Sequence, residues 1–144
     1  MNEIKYSYRD ETGKHLYFKV RTPDKNFYYD PKLNGMERVL YNLPELLTSQ
    51  EKEKRIVWIT EGERDSNNLI KKCGFVAVTA GGASDWKPEF AKLFKGMDVI
   101  VCEDNDDAGK KSAEKICYSL FGHADSVHKL TFRDQQKGYD IAIF

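Results

Sequence analysis

From residue 56 onward, apolar runs of strand length alternate with amphipathic stretches of helix length. Segments 56–61, 75–79, 98–103 and 126–132 read as strands, and 64–72, 87–94 and 107–121 read as helices. The runs Ile56-Val-Trp-Ile and Val99-Ile-Val-Cys are continuously apolar rather than alternating, the pattern of strands covered on both faces. Alternation of this kind with short connections predicts an α/β unit, a parallel sheet with crossover helices. Gly74 and Gly122 stand where helix C-terminal glycines belong. The first thirty residues follow another pattern. Ile4-Lys-Tyr-Ser-Tyr8 and Leu16-Tyr-Phe-Lys-Val20 flank Arg9-Asp-Glu-Thr-Gly-Lys14, whose Asp and Gly are turn residues, so an antiparallel hairpin is expected. Asn26-Phe-Tyr-Tyr29 offers a third strand, and Pro44 sits near the first position of a short helix within 38–47. The expected organisation is a small β-rich unit over 1–50 and an α/β unit over 51–144.

Both motifs that carry chemistry lie just beyond strand ends. Ile56–Thr60 runs into Glu61-Gly-Glu-Arg-Asp65, and Val99–Cys102 runs into Glu103-Asp-Asn-Asp-Asp-Ala-Gly109. Ligands of open parallel sheets gather beyond the carboxyl ends of the strands, so neighbouring strands would bring Glu61, Asp65, Asp104 and Asp106 together. Such carboxylates oppose one another's ionisation unless a counter-ion joins them, and a hard divalent cation with oxygen ligands is the simplest one. Alternation in an extended segment would send Asp104 and Asp106 the same way. Gly109 would permit close backbone approach at the start of the following helix. Between the motifs, Val78-Thr-Ala-Gly-Gly-Ala-Ser84 places Gly81 and Gly82 in a tight loop beside the acids, with room for a phosphate. Each motif alone has a plain reading, an acidic helix N-terminus or a solvated acidic loop. Their joint placement favours magnesium or manganese and phosphoryl transfer.

Charge and cysteine content narrow the partners. Lys plus Arg equals Asp plus Glu at 23 each, so no overall basic surplus marks a nucleic-acid binder. Arg64, Lys87, Lys110 and Lys111 flank the motifs and are the candidate contacts to phosphate. Trp86 and the hairpin tyrosines are either base-stacking groups or core. Three dispersed cysteines with no CxxC pair exclude a zinc ribbon and a disulfide framework, as expected of reduced cytoplasmic thiols. The apolar runs are too short to span a membrane.

Glu61-Gly62 followed by Asp65, then Gly81-Gly82, then Asp104-x-Asp106-x-x-Gly109, resembles the TOPRIM domain of primases, topoisomerases and certain nucleases, over roughly 36–144. The wording is most similar to primase-like members from phages, plasmids and other mobile elements. The resemblance implies a DNA primase core that makes primers on single-stranded DNA from nucleoside triphosphates, beside a helicase or another replication protein. It implies that Glu61 is the acid nearest the nucleophile, that Asp104 and Asp106 are the principal magnesium ligands, and that Asp65 is an outer one. Lys137-Gly-Tyr-Asp140 fits a Gly-x-Asp segment of the family, so Asp140 is a further candidate ligand. No second acid follows it, no zinc module precedes the core, and no Walker A pattern follows, which leaves fragment or short partner-dependent protein open. The same acids would serve a metal-dependent nuclease, and a non-catalytic replication module is the third expectation.

Overall fold

The computed structural model describes residues 2–52 and 55–131, and the Gly-x-Asp segment with Asp140 lies outside them. The hairpin becomes a three-stranded antiparallel sheet: β1 (Ile4–Arg9), β2 (His15–Arg21) and β3 (Phe27–Asp30), in spatial order β1-β2-β3. Tyr6 pairs with Lys19 and Tyr8 with Tyr17 across β1 and β2. Pleating sends these four side chains to one face. That face is buried, with Tyr6, Tyr8, Tyr17 and Tyr41 forming a compact aromatic cluster. Tyr8 and Tyr17 stack at 4.9 Å between ring centroids.

The remaining elements are α1 (Leu43–Gln50), β4 (Ile56–Ile59), α2 (Glu63–Cys73), β5 (Ala77–Val78), a 3₁₀ helix (Pro88–Phe94), β6 (Asp98–Cys102), α3 (Asp107–Leu120) and β7 (Ser126–Leu130). The four later strands form one all-parallel sheet in the order β5-β4-β6-β7. Val57, Ile59, Val78, Val99 and Val101 point from it into the main core, where they meet Leu43 and Leu46 of α1, Phe90 and Phe94, and Ile116 and Leu120 of α3. Gly74 closes α2 in the left-handed region at φ 69°, as its position in the sequence predicts. Pro44 lies in the first turn of α1.

Two elements differ from expectation. The strand foreseen at 75–79 is reduced to two residues, and Phe75 ahead of it stacks on Trp58, with ring centroids 4.8 Å apart. The helix over 87–94 is 3₁₀ rather than α, a form suited to short connectors. It still buries Phe90, Ala91 and Phe94.

The two sheets are joined around residues 38–42. Tyr41 forms an antiparallel bridge to Thr79 beyond the end of β5. Asn42, left-handed at φ 67°, donates its side-chain amide to Ala77 O at 2.9 Å. The aromatic face of the small sheet is thereby set against the carboxyl edge of the parallel sheet.

Candidate active site

A cleft of about 420 Å³ opens between the small sheet and the carboxyl ends of β4 and β6. One wall carries Glu61, Gly62, Glu63, Arg64 and Asp65 from the β4–α2 loop and the start of α2, with Gly81, Gly82 and Asp104 beside them. The opposite wall carries Tyr6, Lys19, Arg21, Lys25 and Phe27. Acids therefore face cations across the space, with the rings of Tyr6 and Phe27 among the cations.

The acidic wall is organised by hydroxyls from strand ends. Thr60 Oγ1 donates to Gly62 O at 2.8 Å and lies 2.7 Å from Ser66 Oγ, which fixes the turn into α2. Thr79 Oγ1 donates to Glu61 O at 3.0 Å and accepts from the Gly81 amide at 3.1 Å. One fully buried threonine thus ties the first acidic motif to the glycine loop. Gly81 adopts φ +112°, and a Cβ there would fall 2.9 Å from Tyr8 Oη. Only glycine fits this position without movement.

Of the residues singled out from sequence, Glu61, Asp65, Asp104, Arg64, Gly81 and Gly82 share the cleft. Asp106 does not line it. Its carboxylate caps α3, accepting from the Gly109 amide at 2.6 Å. The expectation that Asp104 and Asp106 alternate in extended chain is corrected here. The Asp106 amide donates to Asp104 O at 2.8 Å, so the segment turns, with Asp104 lining the cleft and Asp106 capping α3. Gly109 does permit close approach: a Cβ would lie 2.6 Å from Asp104 O and 2.7 Å from Asp104 Cβ. The DxDxxG spacing is in this respect a packing constraint on the backbone under Asp104. Lys110 and Lys111 are exposed on α3, and Lys87 precedes the 3₁₀ helix; none of the three reaches the cleft. Trp86 is core, 3% exposed, with Nε1 donating to Ser119 Oγ at 2.8 Å.

Sequence reasoning missed the opposite wall and the part played by Glu63. Lys19 is 8% exposed and Glu63 5% exposed, and they form an ion pair at 3.2 Å. Lys19 Nζ also donates to Gly81 O at 2.5 Å and sits over the Phe27 ring, 4.7 Å from its centroid. Tyr8 Oη donates to Glu63 Oε2 at 2.5 Å. Burial, the Glu63 charge and this bond together raise the Tyr8 hydroxyl far above the ordinary phenol range. A signal was available, because Lys19 occupies an inward position of β2, in step with Tyr17.

The donor set suits a hard cation. Glu61 Oε2 is buried with no hydrogen-bond partner, a costly state for a carboxylate oxygen that a metal would relieve. Asp65 and Asp104 both bear on the buried Cys102 at the end of β6. Burial first, and then their charges, push its thiol up to about 12. Among the described residues, no three acidic, histidine or cysteine side chains already stand in a metal-holding group. The carboxylates are of the right kind and share the right cleft, and an ion would have to draw them together.

These features define a class. A small antiparallel sheet set against the carboxyl edge of a four-stranded parallel sheet is the fold of this chain, and that fold is similar to solved primase catalytic domains. The particular likenesses are to three solved structures. One is the primase fragment of the bacteriophage T7 primase-helicase protein, with TM-score 0.66 and 24% identity over 90% of this chain and 52% of that one. Another is a DNA primase domain from Pseudomonas aeruginosa, with TM-score 0.77 and 24% identity over 98% of this chain and 46% of that one. The third is a DnaG primase catalytic domain bound to single-stranded DNA, with TM-score 0.72 and 22% identity over 98% of this chain and 47% of that one. In sequence, the Gene 57 protein of Mycobacterium phage D29 is 38% identical over 63 residues, 43% of this chain and 41% of the phage protein. No family model matches the chain. The chain spans about half the length of the primase structures it matches. Among the described residues, no helix is long and apolar enough to cross a membrane.

Proposed function

We propose that the chain is the catalytic core of a DNA primase, joining nucleoside triphosphates on a single-stranded DNA template during replication. The observation that carries this reading is the two-sided cleft, with Glu61, Asp65 and Asp104 opposite Lys19, Arg21 and Lys25. A triphosphate or template backbone supplies the negative charge that the cationic wall lacks, while the acids suit the divalent ions that accompany it. Arg21 and Lys25 are the cations we assign to phosphate. Lys19 is already held by Glu63 and Gly81 and acts as a brace. Phe27, 58% exposed in the cleft, offers a face for a base.

Glu61, Asp65 and Asp104 are the residues that would hold Mg²⁺ or Mn²⁺, and Asp106 and Asp140 are retained as candidates from the family pattern. When bound, the metal would acidify the attacking hydroxyl and neutralise charge developing on the leaving pyrophosphate. The chain's own contributions are orientation and charge. Thr79 fixes the distance between the Glu61 loop and the glycine loop, and Gly109 lets the backbone under Asp104 rest on α3. A DnaG domain of similar fold was solved with single-stranded DNA, and the T7 structure is the primase fragment of a primase-helicase protein, which supports those classes of partner.

The test is template-directed primer synthesis with Mn²⁺ and labelled triphosphates. Glu61→Gln and Asp104→Asn should abolish product, and product that persists in both variants would end the proposal. A non-catalytic replication module is the second reading, favoured by the engagement of Asp106 as a helix cap and by the open arrangement of the acids. It predicts single-stranded DNA binding indifferent to metal and to both substitutions. Degradation of labelled DNA with Mn²⁺ and no triphosphates would instead indicate a nuclease.

A further inference from the structure

The glycine loop that borders the acids is held only weakly by the parallel sheet. β5 is two residues long and, among the described strands, pairs with β4 alone. Beyond Thr79 the chain passes through two successive glycines, which restrict backbone conformation least. Yet the loop is pinned at its far end from outside the sheet. Arg38 Nη1 donates to Asp85 Oδ1 at 2.9 Å, forming an ion pair with side chains 26% and 23% exposed. The other guanidinium nitrogen donates to Tyr29 Oη, and the group lies over the Tyr29 ring, 5.2 Å from its centroid. Tyr29 in turn packs edge-on against Tyr17 in the buried aromatic cluster. Asp85 folds back on the loop: its amide donates to Gly82 O at 3.1 Å, and its Oδ2 lies 2.9 Å from where a Gly82 Cβ would stand.

We propose that Arg38 is a positioning residue of the cleft. Through Asp85 and Tyr29 it fixes the Gly81–Gly82 backbone relative to the cationic wall, and so sets affinity for a nucleoside triphosphate without touching it. A planar, forked guanidinium suits this task because it serves Asp85, the Tyr29 hydroxyl and the Tyr29 ring together, which an ammonium cannot do. The assignment rests on the cleft being a nucleotide site. Neither Arg38 nor Asp85 lines the cleft, so an effect on affinity would have to travel through the loop.

The experiment uses the full 144-residue chain as wild type, Arg38→Gln, Asp85→Asn and the exchanged pair Arg38→Asp with Asp85→Arg. Amide hydrogen exchange is read at 81–85 and in β6. Binding of a fluorescent ATP analogue with Mn²⁺ is measured beside primer-synthesis kinetics. Both single variants should speed exchange at 81–85 and leave β6 unchanged. They should raise the triphosphate KM and Kd about tenfold, the scale of one charged hydrogen bond, with kcat within about twofold. The exchanged pair should recover much of both losses.

Unchanged exchange at 81–85, unchanged KM and Kd, or a fall in kcat at constant KM would overturn the proposal. Faster exchange spreading into β6 would do so too, by showing general destabilisation. If the wild type binds the analogue but makes no primers, the primase reading fails while the dissociation constants still decide this one. A wild type that does not bind the analogue overturns both.

Discussion

The buried Lys19–Glu63 pair offers the sharpest test of how the small sheet is attached. At an effective dielectric of 20, unit charges 3.2 Å apart attract by about 5 kcal/mol. Desolvation of two groups that are only 8% and 5% exposed takes back several kcal/mol per ion, so the intact pair contributes little net stability. Breaking it is another matter. Lys19→Met leaves Glu63 charged and buried with Tyr8 as its remaining hydrogen-bond donor, and Gly81 O loses the Lys19 bond. The expected cost is about 3–5 kcal/mol, a large part of a domain's stability. Adding Glu63→Gln removes the stranded charge while keeping an acceptor for Tyr8 Oη, and should recover about 2 kcal/mol, within the coupling range of contacting residues. Urea unfolding followed by circular dichroism gives all three values. If Lys19→Met costs less than about 1 kcal/mol, the level of an exposed pair, or if the two substitutions are simply additive, the pair is not the buried staple inferred here.

Other expectations follow from single contacts. Asp106→Ala should cost about 1 kcal/mol through loss of the α3 cap, whereas Asp106→Ser should hold thermal stability within a few tenths. Equal losses for both would contradict the capping role. Gly109→Ala should cost about 1–3 kcal/mol, since its Cβ would meet Asp104 backbone at 2.6 Å, and an unshifted melting temperature would disprove that crowding. Glu61→Gln should abolish primer synthesis yet leave the melting temperature unchanged or higher, because it neutralises a buried oxygen that lacks a partner. The Cys102 thiol, pushed up to about 12, and the raised tyrosines Tyr8, Tyr17 and Tyr41 all favour their protonated forms in the folded state. Stability is then complete below about pH 8.5 and lost as pH rises toward 12, with Cys102 contributing up to about 4 kcal/mol. Urea midpoints between pH 8 and 11 should fall steadily, and a flat profile would refute the burial of these groups.

The parallel sheet was legible because its signal is local. Continuous apolar runs end in acids, and amphipathic segments between them give crossover helices, so strands β4 and β6 and helices α2 and α3 lie within two residues of the expected bounds. Asp106 occupies a position that admits two uses of one carboxylate, ion binding and helix capping, and the bond from the Gly109 amide shows the second. The turn that links Asp104 to Asp106 lies against Gly109, a contact that no alternation rule contains. Trp86, by contrast, had core as its plainer reading, and its bond to Ser119 on α3 bears that out. The cationic wall was missed for a different reason. Lys19, Arg21 and Lys25 are close in sequence to one another but far from the acids, and only the meeting of two sheets places them opposite Glu61 and Asp104.

That meeting also changes what net charge can say about partners. Equal numbers of acidic and basic residues argue against a nucleic-acid surface only if the charges are mixed. Here they are segregated across a cleft, acids at the strand ends and cations on the small sheet. Glu61, Asp65 and Asp104 would repel a polyphosphate approaching the parallel sheet alone. Lys19, Arg21 and Lys25 reverse the sign of one wall, and Lys19 compensates the buried Glu63 as well. The hairpin therefore supplies the counter-charge that lets an acidic sheet edge face an anionic substrate. Arg21→Glu with Lys25→Glu should accordingly weaken single-stranded DNA binding and lower its logarithmic salt slope by about 1.4, near 0.7 for each of two phosphate contacts on a single strand. An unchanged salt slope would place the nucleic acid somewhere other than this cleft.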